Sequence, residues 1–198
     1  MEKRKMKTWE TAALLALCLS LLWGAWAQAR QSGIAAKLVR LHVIAASDAP
    51  EEQALKLRVR DAVLSYLQPR LAGAADAAEA RAILAGELEG IAETAAAAGE
   101  GRPVRVSLGW EDYPLRDYGG FRLPAGRYES LRVILGEGRG QNWWCVVFPT
   151  LCLEAASEEP MQSALAEENY ALVRAEDGPT LRFWLVERWG ELMNALRG

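Results

Sequence analysis

Two short apolar runs separated by a glycine-rich segment constrain the fold of this chain more than any other feature. The runs, residues 131–135 and 143–148, are rich in the β-branched and aromatic residues that are typical of strands. The segment between them reads GEGRGQN, and its alternating glycines allow the positive φ angles that a tight connection requires. We therefore predict that the two runs pair as a local antiparallel hairpin.

The periodicity of the remaining sequence predicts further helices and strands around this hairpin. In chain order these are a strand at 37–46, a helix at 50–67, a helix at 77–98, a strand at 104–110, a loop at 111–127 and a helix at 179–196. In the first helix we expect Ser47 or Asp48 as the N-cap, and Lys56, Arg60 and Asp61 on the solvent side. The acidic stretch 153–168 is interpreted as a loosely packed connection. The predicted fold class is α+β, a small and mainly antiparallel sheet with two long helices after the first strand and a C-terminal helix, preceded by a signal peptide.

The N-terminus has the pattern of a secretory leader. Four basic residues precede position 8, and an apolar run at 12–27 ends in the small-residue sequence Ala25-Trp26-Ala27. We predict that residues 1–27 are a signal peptide cleaved after Ala27 or Ala29. The alternative is an uncleaved membrane anchor in which Trp23 and Trp26 lie at the membrane interface. Either outcome leaves residues 35–198 as a single exported domain.

Composition argues against several classes of partner and site. Cleavage after Ala27 lowers the number of basic residues from 23 to 19 and the number of acidic residues from 26 to 24, so the net charge becomes −5. An acidic chain without a basic stripe is not expected to bind nucleic acid, and the membrane is expected to be contacted only through an uncleaved leader. The chain has a single histidine, His42, so we predict no metal site, no catalytic residues and no cofactor. The acidic residues Asp48, Glu51 and Glu52 are interpreted as helix-start residues, since carboxylates stabilise that end of a helix.

The glycine-rich segment does not have the context of a nucleotide site, because a strand follows it where a phosphate-binding loop precedes a helix. It is instead interpreted as part of a protein-binding surface, since successive strand residues point to opposite faces and one of two adjacent indoles is then exposed. The predicted partner-binding residues are Trp143, Trp144, Gly138, Arg139, Asn142 and Tyr118. The alternative is that both indoles pack in the core.

Two cysteines remain after the leader, Cys145 and Cys152. In an exported protein, cysteines this close in sequence are a disulfide candidate. The alternative is a buried free thiol, which behaves as a small apolar residue.

Three stretches together resemble a known family. These are LPAG at 123–126, VRLHVIAASDAPEEQALKLRVRDAVL at 39–64 and LRVILGEGRGQNWWCVVFPTLC at 131–152, and they are similar to stage II sporulation protein R of endospore-forming bacteria. The resemblance implies a protein secreted from the forespore into the intermembrane space, which activates a membrane-embedded aspartic protease, the sporulation sigma-factor processing peptidase. That protease then cleaves the precursor of the early mother-cell sigma factor. A secreted cell-envelope hydrolase and an envelope or glycan-binding module are the alternatives.

Overall fold

The computed structural model describes residues 7–118, 121–149, 161–162, 164–165, 167–174 and 181–197. The helices and strands of these residues are, in chain order, α1 (Thr8–Ala35), β1 (Val39–Ile44), α2 (Pro50–Leu71), α3 (Ala77–Gly86), α4 (Leu88–Ala98), β2 (Val104–Tyr113), β3 (Arg116–Asp117), β4 (Arg122–Leu123), β5 (Gly126–Leu135), β6 (Asn142–Phe148), α5 (Glu167–Val173) and α6 (Leu181–Arg197). The α+β class and the C-terminal helix are confirmed.

The main sheet has the strand order β2-β5-β1-β6, with β1 parallel to β5 and the other two pairings antiparallel. Strand β1 is central and is buried on both faces because its side chains alternate between two cores. Leu41 and Val43 point into a core formed with α2, α3 and α4. Arg40 and His42 point to the opposite face of the sheet, where α1, α5 and α6 pack. The domain is therefore a sheet between two helical layers.

The predicted hairpin is wrong, because β5 and β6 do not pair with each other. Strand β1 lies between them, so the connecting segment 136–141 crosses two strand spacings, about 10 Å. This segment passes over the end of β1, where Arg139 N–H donates to the Ala46 carbonyl at 3.2 Å and Gly140 N–H donates to the Ala45 carbonyl at 2.9 Å. A strand that is buried on both faces must pair its backbone groups along both edges. Strand β1 does so by lying between β5 and β6, which are neighbours in sequence.

Two of the other predicted elements, the helix at 77–98 and the loop at 111–127, are built differently from the prediction. The predicted helix at 77–98 is broken at Glu87, where φ is −98° and ψ is 5°, so that α3 and α4 are separate. Gly86 weakens the helix there, and the Glu87 carboxylate accepts hydrogen bonds from Tyr66 and Arg70 on α2. The predicted loop at 111–127 is largely ordered as the end of β2, the small β3–β4 sheet and the start of β5.

The predicted N-cap of α2 is also wrong. Ala49 is the N-cap residue and makes no side-chain capping bond, and Pro50 occupies the first turn. The Ser47 hydroxyl accepts a hydrogen bond from Ala49 N–H, and the Asp48 carboxylate accepts one from Gln141 N–H at 2.8 Å. Asp48 therefore stabilises the glycine-rich segment and not the helix.

Helix α1 continues without a break through the predicted cleavage region. Within the described ranges it is the helix that is long and apolar enough to cross a membrane, and this is compatible with a signal peptide or with secretion. Its first half is mostly exposed, whereas Gly24, Ala27 and Ile34 are buried against the domain. The predicted acidic connection at 153–168 lies largely outside the described residues.

Candidate recognition surface

The two adjacent tryptophans lie on opposite faces of β6. The Trp143 side chain is 37% exposed, and the Arg60 guanidinium on α2 lies 4.4 Å from the centroid of its ring. Trp144 is half-buried on the other face, where its ring centroid lies 5.3 Å from that of His42. The Arg116 guanidinium stacks on the Trp144 ring, 3.5 Å from the ring centroid. Trp143 is therefore the exposed indole and Trp144 packs against the second core.

The glycine-rich segment next to Trp143 has a defined backbone shape. Gly138 has a φ of +67°, and a Cβ atom there would lie 2.6 Å from the Ile134 Cγ2 atom, so neither the conformation nor the space admits a side chain. Arg139 projects from the segment and forms an ion pair with Glu137 at 3.0 Å, with both side chains largely exposed. Together with Trp143 and Arg60, this segment forms what we call the loop surface, residues 136–143 and Arg60.

Lys56 supports the loop surface from beneath. The prediction that it faces solvent is wrong, because the residue is only 5% exposed and the segment 136–141 covers it. Its ammonium group donates to the Gln141 carbonyl at 3.0 Å and to Gln53 Oε1 at 2.7 Å. Burial lowers the pKa of Lys56, and the Asp48 carboxylate partly opposes this change. Asp61 is exposed as predicted, and Arg60 is half-buried under Trp143.

His42 joins the loop surface to the centre of the sheet. One ring nitrogen, Nδ1, lies 2.9 Å from Glu111 Oε1, and the other, Nε2, lies 3.0 Å from the side-chain oxygen of Asn142. Burial tends to raise the pKa of Glu111, but His42 together with the Ser130 hydroxyl and the Arg132 guanidinium outweighs this effect, so the pKa is lowered. His42 thus links Glu111 on β2 to Asn142 at the start of β6, with one ring nitrogen on each.

Tyr118 does not lie on the loop surface, although it was predicted to share one surface with the tryptophans. It stacks on Phe121 at 5.1 Å and its hydroxyl accepts a hydrogen bond from Arg40, which places it on the Trp144 side of the sheet. Tyr113 and Phe121, from the same predicted loop, are buried in the second core. The residues predicted to share one surface therefore lie on opposite faces of the sheet. Asn142 is linked to the face that carries Trp144 and Tyr118 through its hydrogen bond to His42.

The acidic residues near the start of α2 have structural partners or exposed positions. Glu52 forms an ion pair with Arg102 at 2.6 Å, Asp48 holds Gln141, and Glu51 is exposed in the first turn. Among the residues that the structure describes, no three His, Cys, Asp or Glu side chains are grouped as metal ligands would be. Sequence reasoning missed Arg116 and the buried position of Lys56, because neither residue stands in a local pattern that differs from that of a surface cation.

Cys145 is buried and disulfide-bonded, whereas Cys18 on α1 is free and exposed. The proposed partner Cys152 lies outside the described residues, so the pairing stays a prediction. If the two are bridged, the closed loop is short and the entropic model gives a stabilisation on the order of 2 kcal/mol. We expect Cys145→Ser to lower the melting temperature in oxidising buffer but not in reducing buffer. An equal loss in both buffers would show that Cys145 matters only as a packed thiol.

We expect Lys56→Met to loosen the segment 136–141 while leaving the sheet intact. The change removes the charged donor of the Gln141 carbonyl and leaves it only the long 3.5 Å bond from Ala45 N–H, and a poorly satisfied buried acceptor costs about 1–3 kcal/mol. Hydrogen exchange at the Arg139 and Gly140 amides measures the loosening, and urea denaturation measures the loss of stability. The matched control is Arg58→Met on the exposed side of the same helix, where the ion pair with Glu100 is solvated. Equal exchange rates in the two variants would contradict a supporting role for Lys56.

Two comparisons with known proteins match this chain. A family model described as stage II sporulation protein R matches residues 35–158, which include the six strands of the described residues. The chain is 30% identical over 182 residues to "Stage II sporulation protein R" of Bacillus subtilis (strain 168), and the match covers 79% of this chain and 81% of that protein. No solved structure gave a significant match.

Proposed function

This chain belongs to the stage II sporulation protein R family, and from that premise we propose that it is an exported sporulation signal that activates a membrane-embedded aspartic protease. The activated protease cleaves the precursor of the early mother-cell sigma factor. The observation that carries the proposal is the family match, which spans the whole sheet and both the loop surface and its supports. The chain itself catalyses no step in this proposal.

The loop surface is the part of the domain that we propose to contact the protease. It combines an exposed indole with an arginine stacked on it, and tryptophan and arginine are the residue types most enriched in the centres of protein interfaces. Its backbone is fixed by Ala45, Ala46, Asp48 and Lys56, so little conformational entropy is lost on binding. To act as a signal, the surface must bind the active state of the protease more tightly than the inactive state.

The leader is proposed to remain attached as a membrane anchor. Ala27 is fully buried, and the Trp189 indole on α6 packs over Gly24 and donates a hydrogen bond to Gln28 at 3.2 Å. Removal of residues 1–27 would therefore strip part of the second core from the domain. The basic residues before position 8 favour the side from which the protein is exported, which leaves the domain in the intermembrane space.

Co-expression in a non-sporulating host tests the proposed function directly. The chain, the candidate protease and the sigma-factor precursor are produced together, and the cleaved precursor is measured by immunoblot. We expect cleavage with the exported chain and none with a chain that lacks residues 2–27, because the shortened chain stays on the wrong side of the membrane. Undiminished cleavage with the shortened chain would contradict signalling across the membrane, and a normal level of the shortened protein is the control for its stability.

A glycan-binding module is a second candidate, favoured by the exposed ring of Trp143, since flat aromatic side chains can stack on sugar rings. Binding to purified peptidoglycan that is lost in Trp143→Ala, together with unchanged precursor cleavage, would support this candidate over the proposed signal. Loss of precursor cleavage in Trp143→Ala, with no peptidoglycan binding by the unchanged chain, would support the proposed signal.

A further inference from the structure

The buried Arg40 has no acidic partner among the described residues. It lies on β1 and is 0% exposed, with its guanidinium carbon 3.8 Å from the Tyr113 ring centroid and 4.9 Å from that of Tyr128. One guanidinium nitrogen, Nη2, donates to the Tyr118 hydroxyl, whereas Nε and Nη1 have no hydrogen-bond partner. The faces of the guanidinium are covered by aromatic rings, and two of its donors remain unsatisfied.

A second arginine, Arg116 on β3, is also incompletely bonded and shares the aromatic cluster of Arg40, since the Trp144 ring lies 6.5 Å from the Tyr113 ring. Its guanidinium stacks on the Trp144 ring, and its buried Nε has no hydrogen-bond partner. Burial lowers the pKa of Arg116, whereas the Tyr118 hydroxyl raises it and the charge of Arg40 lowers it further. The Tyr118 hydroxyl therefore lies within electrostatic reach of both cations.

The acidic side chains closest in sequence to this pair are engaged with other cations. Glu111 contacts His42 and Arg132, Asp112 forms an ion pair with Arg197 at 3.2 Å, and Asp117 forms one with Arg122 at 2.6 Å. Neither Arg40 nor Arg116 forms an ion pair with any carboxylate of the part of the chain that the structure describes. Two like charges with unsatisfied donors inside a protein are costly, and stacking on aromatic rings recovers only about 0.5–2 kcal/mol per contact.

We propose that Arg40, Arg116 and the Tyr118 hydroxyl form a binding site for a carboxylate group. Guanidinium groups bind carboxylates through charge-assisted hydrogen bonds, and the phenol hydroxyl adds a neutral donor. The aromatic rings around Arg40 lower the local dielectric, which strengthens each of these bonds. The carboxylate is that of a free small acid or of an acidic side chain in a peptide, and the chemistry of recognition is the same for both.

The site is tested on the full-length chain in a neutral detergent, by titration with sodium formate against sodium chloride at equal ionic strength. We expect formate to shift the 15N resonances of the Nε–H groups of Arg40 and Arg116 in a saturable manner. Because a ligand that binds only the folded state stabilises it, the melting temperature should rise by roughly 3–6 °C at ten times the Kd. A response to chloride equal to that for formate would overturn the proposal, since it would reflect only a general effect of salt.

Two variants test whether formate binds at Arg116, and a pair of peptides tests which kind of carboxylate the site takes. Arg116→Met should abolish the difference between formate and chloride, whereas Arg105→Met, which removes the same charge from an exposed position on β2, should retain it. A difference that persists in Arg116→Met would overturn the site. A blocked pentapeptide with one central glutamate, compared with its glutamine counterpart, distinguishes the two sources of the carboxylate. If the glutamate peptide alone competes with formate, the site takes an acidic side chain. If formate binds and neither peptide competes, the site takes a free small acid.

Discussion

Replacing Trp143 with alanine should lower the affinity for the proposed protease partner about thirtyfold, because truncation of a central tryptophan anchor costs upwards of about 2 kcal/mol. The exported domain should nevertheless fold, since the indole is already 37% exposed and its main described partner is the Arg60 guanidinium. Precursor cleavage in the reconstituted host and the melting temperature of the purified variant measure the two effects separately.

Trp110 provides a matched control for this substitution. It is 50% exposed and lies on β2, which is the opposite edge of the sheet from β6. Trp110→Ala therefore removes a comparable exposed indole without altering the loop surface, and we expect cleavage to stay close to that of the unchanged chain. Equal losses in the two variants would mean that the loop surface has no special part in recognition.

Arg60 and Arg139 should contribute less than Trp143. Arg60 holds the indole by a cation–π contact worth about 0.5–1 kcal/mol at an exposed position, and Arg139 is already paired with Glu137 in solvent. Charges at the rim of an interface mostly affect the association rate. The contact between Arg60 and Trp143 also shows that the loop and α2 form one continuous surface, so variants of the helix and of the loop are expected to have related effects.

The features of the fold that depend on local sequence could be predicted. Strand β1, helix α2 and the C-terminal helix follow from the spacing of their apolar residues, and the positive φ angles of Gly136 and Gly138 follow from the need for a connection there. The order of strands could not be predicted in this way. Strand β1 is inserted between β5 and β6 from a position about 90 residues earlier, and no window around the glycine-rich segment contains that information.

The candidate surface was predicted only in part, for a related reason. Alternation along a strand correctly places Trp143 and Trp144 on opposite faces, because that rule is local. The burial of Lys56 depends on the segment 136–141 lying over α2, which is a contact between distant parts of the chain. Tyr118 lies on the Trp144 face because β3 and β4 turn the segment after β2 towards the second core, and two-residue strands have no recognisable period from which this position could be predicted.

The state of the leader should be decided by a single substitution, Gly24→Leu. In the folded domain a Cβ atom at Gly24 would lie 2.6 Å from the Trp189 ring, so a leucine there overpacks the contact between α1 and α6. Overpacking of this kind costs about 1–3 kcal/mol, and for a domain of this size the melting temperature of the exported protein should fall by roughly 2–12 °C. Mass spectrometry of the same sample should give the mass of the full-length chain.

Cleavage of the leader would give a different and equally clear result in the same measurement. If the leader is cleaved after Ala27 or Ala29, residue 24 is absent from the exported domain, and Gly24→Leu must leave its melting temperature unchanged. Ser20→Leu, one helical turn earlier on the exposed part of α1, adds a similar apolar side chain away from α6 and should be neutral in either case. Because Gly24 and Ala27 are buried by α6 and the sheet, we expect the destabilised result, with the leader retained as the first helix of the domain.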